Sequence, residues 1–155
     1  MITKIYNNSN ILRDKAQAIV IPVNTIGIAG AGLAHQWARL YPQAAAVYRY
    51  ACRARQLPIG KVILVKENGA AFICLPTKTI PQYASELRYV EQGLIALRQK
   101  LADWKLESIA VPALGCGLGG LLWKDVEALI EQYLDEQLEI PVHVYLPKSF
   151  PRRAT

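Results

Sequence analysis

In this 155-residue chain, the residues whose types and spacing suggest chemistry are glycines. Two glycine-spaced segments stand out, Asn24-Thr-Ile-Gly-Ile-Ala-Gly-Ala-Gly32 and Pro112-Ala-Leu-Gly-Cys-Gly-Leu-Gly-Gly120. Each follows a short β-branched apolar run and precedes residues at helical spacing. Glycine lets the backbone approach phosphate oxygens closely, and the N-terminus of a following helix offers free N–H groups and partial positive charge. Gly30-Ala31-Gly32 before the Leu33 helix is one candidate cradle, and Gly115-Cys116-Gly117-Leu118-Gly119-Gly120 before the Trp123 helix is the other. Neither fits the GxxxxGK[ST] pattern of a P-loop, and neither has GxGxxG with an acidic residue about 20 positions later. One glycine loop is ordinarily a tight turn. Two on equivalent strand ends point to a shared diphosphate site.

The elements that must hold these loops are readable from periodicity. Ile2–Tyr6, Ala18–Val23, Lys61–Lys66, Ala70–Leu75, Ser108–Val111 and Val142–Leu146 read as strands. Pro22 weakens the second of these, because proline cannot donate to a sheet ladder. Asn68-Gly69 predicts a hairpin turn. Helical spacing covers Leu33–Tyr41, Gln43–Arg55, the stripe Leu87, Val90, Leu94, Leu97, Leu101, and Val126–Leu134. Ser85 reads as the N-cap of the third helix, with Glu86 in its first turn and Pro76–Ala84 as loop. The order β-β-α-α-β-β-α-β-α-β predicts a three-layer α/β domain with a mixed sheet.

Composition narrows the class. Apolar residues make up 52% and charged residues 19%, enough for a core and against disorder. Cys52, Cys74 and Cys116 are scattered and only two histidines exist, which excludes a zinc finger, an iron–sulfur protein and a disulfide-stapled domain. The first ten residues hold no apolar signal core, and no apolar run approaches the roughly 20 residues of a membrane helix. A cytoplasmic protein without membrane attachment is expected. The net charge of +6 is uneven: residues 1–80 carry ten Lys/Arg against Asp14 and Glu67, while residues 81–155 carry eight against ten Asp/Glu. The basic half suits a polyanion, or merely keeps the surface solvated. No long amphipathic seam requires an obligate dimer, so a monomer is expected.

The segments Val23-Asn-Thr-Ile-Gly, Gly30-Ala-Gly-Leu-Ala34, Leu75-Pro-Thr-Lys78 and Pro112-Ala-Leu-Gly-Cys-Gly-Leu-Gly-Gly-Leu121, followed by Trp123, resemble a macrodomain. The resemblance runs from about Ala18 to Leu146. It is narrowest to the branch holding the DarG-type DNA ADP-ribosyl glycohydrolases and the terminal ADP-ribose protein glycohydrolase. It implies a single α/β/α macrodomain over residues 1–147, with 148–155 as a tail. It also implies ADP-ribose recognition, no metal, no cofactor, and removal of ADP-ribose from thymine in single-stranded DNA. A cognate ADP-ribosyltransferase toxin is an implied partner. Alternatives are a non-catalytic ADP-ribose reader and a hydrolase of ADP-ribosylated carboxylates or O-acetyl-ADP-ribose.

Residue by residue, the resemblance gives Lys78 the catalytic role and places Asn24 on the distal ribose. The two glycine loops would cradle the diphosphate, with Ile11, Thr25, Thr77 and Leu114 as further contacts. Asn10, after Ser9, stands where the family has an adenine-contacting aspartate, and can accept a hydrogen bond without charge assistance. Gly119 replaces the loop aspartate of the human-type enzyme. If Gly119 and Gly120 meet the ligand by backbone alone, a Cβ at Gly119 is expected to clash with ligand and spare the unliganded fold.

The chemistry of Lys78 is coherent. An unprotonated amine can attack an anomeric carbon or the open-chain aldehyde. Burial or a neighbouring cation such as Arg88 could favour that form. A carboxylate pair, the usual glycosidase device, finds few acids here, and none lies in either glycine loop. Without the resemblance, Lys78 reads as a solvated or phosphate-pairing lysine. His35 reads as a surface residue, His143 as structural, Cys116 as packing, and Trp37, Trp104 and Trp123 as core or half-buried. Tyr83 could stack on a nucleobase.

Overall fold

The computed structural model describes residues 1–6, 10–135 and 137–148. Ser9 and the tail from 149 onward therefore lie outside the described residues. Six strands form one sheet, β1 (Ile2–Ile5), β2 (Ala18–Asn24), β3 (Ile63–Glu67), β4 (Ala70–Lys78), β5 (Ile109–Val111) and β6 (Val142–Tyr145). Their spatial order is β1-β6-β5-β2-β4-β3. All neighbours run parallel except the β3–β4 hairpin. Its turn places Asn68 at φ 51° and Gly69 at φ 81°, the left-handed pair that an Asn-Gly turn supplies.

Helices α1 (Gly32–Leu40) and α2 (Pro42–Arg53) cover one face, and α3 (Leu87–Asp103) and α4 (Trp123–Tyr133) cover the other. The period-two alternation of the central strands assigns the layers. Ala18 and Val20 of β2, with Ile73 and Leu75 of β4, pack under α3 and α4. Ile19, Ile21 and Val23, with Phe72 and Cys74, pack under α1 and α2. Trp37 and Trp123 are buried and Trp104 is half-buried, as expected.

Pro22 shows why a proline is tolerated in a central strand. Ala18 N–H points at β5, donating to Ser108 O at 3.3 Å, so even-numbered residues of β2 face that neighbour. The β2–β5 register ends at Ile19↔Ala110, so Pro22 lies where no donor is required. The two strands part there, and the gap opens the sheet's carboxyl edge.

Two sequence expectations need correcting. β4 continues through Pro76 and Thr77 to Lys78, paired with β2 up to Asn24↔Lys78, so Lys78 ends a strand rather than beginning a loop. Glu86, not Ser85, is the residue capping α3, and no side chain makes the capping hydrogen bond. Its carboxylate accepts from Arg88 Nε and the Tyr89 hydroxyl instead. The buried Glu67 also has a structural task, accepting from Ala44 N–H at 2.8 Å to complete the first turn of α2.

Asp14 fastens the amino-terminal segment to β6. Its nearly buried carboxylate accepts from Ala16 N–H at 2.7 Å and the Tyr145 hydroxyl at 2.7 Å, with His143 Nδ1 at 3.0 Å. His143 is thus the structural residue expected. Burial disfavours the Asp14 charge, but the Tyr145, Ala16 and His143 hydrogen bonds outweigh it and hold the carboxyl below its usual range. A lowered folded-state value means this stabilisation is complete above pH about 4 and is lost as pH falls through the lowered value. Asp14→Ala is expected to lower unfolding free energy by about 1–3 kcal/mol, because it removes the shared acceptor of three part-buried donors. Urea denaturation at pH 7 measures this, and the gap from wild type should narrow in acid.

Candidate functional site

The loops after β2 and β5 leave neighbouring strands at the point where the chain order reverses direction across the sheet. Ligands of open α/β sheets bind at such a switch point. Here the loops flank a cleft of about 1210 Å³. Of the residues expected to form the site, Asn10, Ile11, Asn24, Gly30, Ala31, Gly32, Thr77, Lys78, Gly115, Cys116, Gly117, Leu118 and Gly119 line it. Thr25, Leu114 and Gly120 do not.

Those three have other tasks. Thr25 ties the first loop to the end of β4, its N–H and Oγ1 both donating to Thr79 O at 3.2 and 2.7 Å. Leu114 is fully buried in the core, and Gly120 closes the second loop by donating to Gly117 O at 3.2 Å.

At the first loop, α1 begins at Gly32 with φ 60°, and no side chain caps it. Gly32, Leu33 and Ala34 line the cleft, so the uncapped end of α1 presents its amides there. Free amides at a helix N-terminus can take an anion. Asn24 is 8% exposed and its amide is largely committed. Its Oδ1 accepts from Ile26 and Ile28 N–H, each at 3.2 Å, and its Nδ2 donates to Ile28 O at 2.7 Å. The buried Tyr48 hydroxyl lies 2.8 Å from its backbone oxygen and 3.0 Å from Oδ1. Asn24 therefore shapes the loop and keeps one N–H for a ligand. Asn10 likewise spends one lone pair, accepting from Leu12 N–H at 3.0 Å to cap the 3-10 turn at Ile11–Arg13.

The second loop corrects an expectation. A Cβ at Gly119 would overlap Ser85 Oγ and sit 2.5 Å from Gly115 O. The tight space at Gly119 is filled by protein, so the unliganded loop needs glycine there. Gly117, by contrast, lines the cleft and has nothing within 4 Å of an added Cβ.

Lys78 is half-buried at the end of β4, its Nζ donating to Pro81 O at 3.2 Å. Arg88 does not adjoin it as expected, because Glu86 engages that guanidinium at 3.0 Å and Arg88 does not line the cleft. No carboxylate lines the cleft among the described residues, and its charged side chains are Lys78 and Lys148. Burial pushes the Cys116 thiol up to about 11, which leaves it a protonated packing residue at neutral pH. His35 is exposed, with Nδ1 at 3.3 Å from Ala29 O. Tyr83 stands 64% exposed outside the cleft. Among the described residues no group of His, Cys, Asp or Glu is placed to hold a metal, and no helix is long and apolar enough to cross a membrane.

Sequence reasoning missed Ser85, Pro22, Ile28, Pro81 and Tyr145 as cleft residues. Only Pro22 carried a local signal, as a proline inside a strand.

A mixed sheet between two helical layers, with two glycine loops flanking a cleft at the switch point that no carboxylate lines among the described residues, defines a three-layer α/β domain with its cleft at the sheet's carboxyl edge. The chain belongs to the macro domain family, whose description matches residues 20–130. It is 34% identical to the DNA ADP-ribosyl glycohydrolase of Mycobacterium tuberculosis, over 98% of this chain and 44% of that protein. It is 35% identical to a DNA ADP-ribosyl transferase–DNA ADP-ribosyl glycohydrolase fusion protein of Thermosipho africanus, over 86% of this chain and 39% of that one. The chain thus spans less than half the length of these relatives. Its fold superposes on the macrodomain of M. tuberculosis DarG with TM-score 0.88 at 35% identity, covering 95% of this chain and 98% of that one. The T. africanus DarTG structure, in complex with ADP-ribose, gives TM-score 0.87 at 33% identity over 97% of this chain and 43% of that one.

Proposed function

We propose that this domain holds ADP-ribose in the cleft and hydrolyses its bond to thymine in single-stranded DNA, with Lys78 as covalent catalyst. The observation that carries this reading is Lys78 itself: a held amine at the end of β4, lining a cleft without carboxylates. The lone pair of Nζ attacks the anomeric carbon that carries the base, forming a bond to it and giving up a proton. The bond to the base breaks with its electrons passing to the base, which takes up a proton. Water then adds to the same carbon and releases ADP-ribose and the amine. Asn24, Ile11 and the glycine loops hold the ligand. The names of the M. tuberculosis and T. africanus relatives support this substrate, and the fusion protein supports a DNA ADP-ribosyltransferase as partner. On this reading the protein works where the DNA lies, in the cytoplasm. The direct test is release of ADP-ribose from an ADP-ribosylated single-stranded oligonucleotide. No turnover by the wild type refutes the proposal.

A second reading has one supporting observation. The human ADP-ribose glycohydrolase OARD1 is 28% identical over 91 residues, 59% of each chain. A substrate panel that includes ADP-ribosylated carboxylates separates the two hydrolases. Tight ADP-ribose binding without turnover on any linkage would leave a reader.

A strand of DNA also needs a cationic path. Arg49 and Arg53, one turn apart on α2, and Arg55 and Lys61 beyond it make no ion pair with a carboxylate among the described residues. The Thr25–Ile28 loop joins this face to the Lys78 end of the cleft. Gly27 lies against Arg49, where an added Cβ would sit 3.3 Å from the Arg49 Cα, while Thr25 is bonded to Thr79. For three or four phosphates, log K against log salt should fall with slope about −2 to −3. Free ADP-ribose should depend on salt far less. Equal salt dependence of the two ligands, measured on Lys78→Ala protein, removes this face from the DNA path.

A further inference from the structure

We infer that Ser85 is a positioning residue whose hydroxyl bonds a hydroxyl of the distal ribose, the sugar carrying the reacting carbon. This rests on the ADP-ribose reading above. Four buried side-chain atoms have no hydrogen-bond partner among the described residues: Trp37 Nε1, Trp123 Nε1, Asp135 Oδ1 and Ser85 Oγ. Only Ser85 lines the cleft. It is 6% exposed, so an unpartnered hydroxyl there is costly unless something fills it. The fold secures its position, because Ser85 N–H donates to Gly119 O at 3.0 Å. Glycine at 119 leaves the hydroxyl its room, since Oγ lies against that residue and an added Cβ would overlap it.

Its place selects the ligand group. Lys78, Pro81 and Ser85 are all supplied by the end of β4 and the connection to α3. If Lys78 acts at the anomeric carbon, the sugar bearing that carbon is the part of the ligand at this wall. The charge of the diphosphate is served elsewhere, by the uncapped start of α1. A neutral hydroxyl suits a neutral sugar hydroxyl.

Calorimetry with ADP-ribose and with ADP, which lacks the distal ribose, tests this on Ser85→Ala. ADP-ribose affinity should fall about five- to tenfold, the worth of one neutral hydrogen bond. ADP affinity should be unchanged, and the melting temperature should not fall, since alanine removes a buried unpartnered hydroxyl. If alanine does lower it, Ser85→Cys fills the same space with a weak donor and should show the same ADP-ribose-selective loss. Unchanged ADP-ribose affinity, or an equal loss for both ligands, overturns the inference while leaving the site reading intact. A wild type that binds neither ligand overturns both.

Discussion

Lys78→Ala is expected to lower ADP-ribose release from modified DNA by at least about 10³-fold, the scale seen when a covalent nucleophile is removed. Affinity for free ADP-ribose should change by no more than about threefold, because the glycine loops and α1 supply most of its binding. The fold should survive, since Nζ makes one part-buried hydrogen bond, to Pro81 O. Lys78→Arg sharpens the result. Arginine keeps the positive charge but is never an available nucleophile at neutral pH. Both variants should therefore be inactive if the amine reacts. An active Lys78→Arg enzyme would show that only charge is needed, and Lys78 would revert to a phosphate-pairing lysine. Single-turnover kinetics on a defined oligonucleotide, beside calorimetry with ADP-ribose, reads both quantities.

The second expected result separates two neighbouring glycines. Gly117→Glu should weaken ADP-ribose binding by about 100-fold or more, with the melting temperature within about 2 °C of wild type. An added Cβ there has nothing within 4 Å and Gly117 lines the cleft, so a carboxylate carried on it opposes a bound diphosphate. Gly119→Ala should do the opposite: one methyl destabilises the free protein by about 1–3 kcal/mol, because backbone at Gly115 and the Ser85 side chain must move. Ligand binding then falls as a consequence of the distorted loop. A Gly119→Ala protein of unchanged stability would mean the loop relaxes freely. The original expectation for that position, a clash with ligand alone, would then be restored. Thermal unfolding with and without ADP-ribose distinguishes the cases.

Most of the secondary structure was legible because it depends on near neighbours in the chain. The short β-branched apolar run Ala18–Val23 and the Leu87–Leu101 stripe are properties of a strand and a helix taken alone, and Asn68-Gly69 is a turn by its own torsions. The element order and the two glycine loops followed from the same signals, and the family resemblance singled out Lys78. The sequence reading ends β4 at Leu75, while pairing with β2 carries the strand on to Lys78.

What the tertiary structure decided is which atoms meet. The strand order puts the loops after β2 and β5 side by side, although nearly ninety residues separate them in sequence. The parting of β2 from β5 beyond Ile19 turns Pro22 from a defect into the opening of the cleft. Ser85, read locally as a helix cap, is carried under Gly119 and left with a free hydroxyl. Arg88, near Lys78 in sequence, is drawn to Glu86, while Asn24 is committed to its own loop and to Tyr48 of α2 through all but one of its amide hydrogens. Periodicity reports which face of an element is apolar. It carries no information on the partner that satisfies a given polar atom, because that partner comes from a distant part of the chain and is chosen by packing.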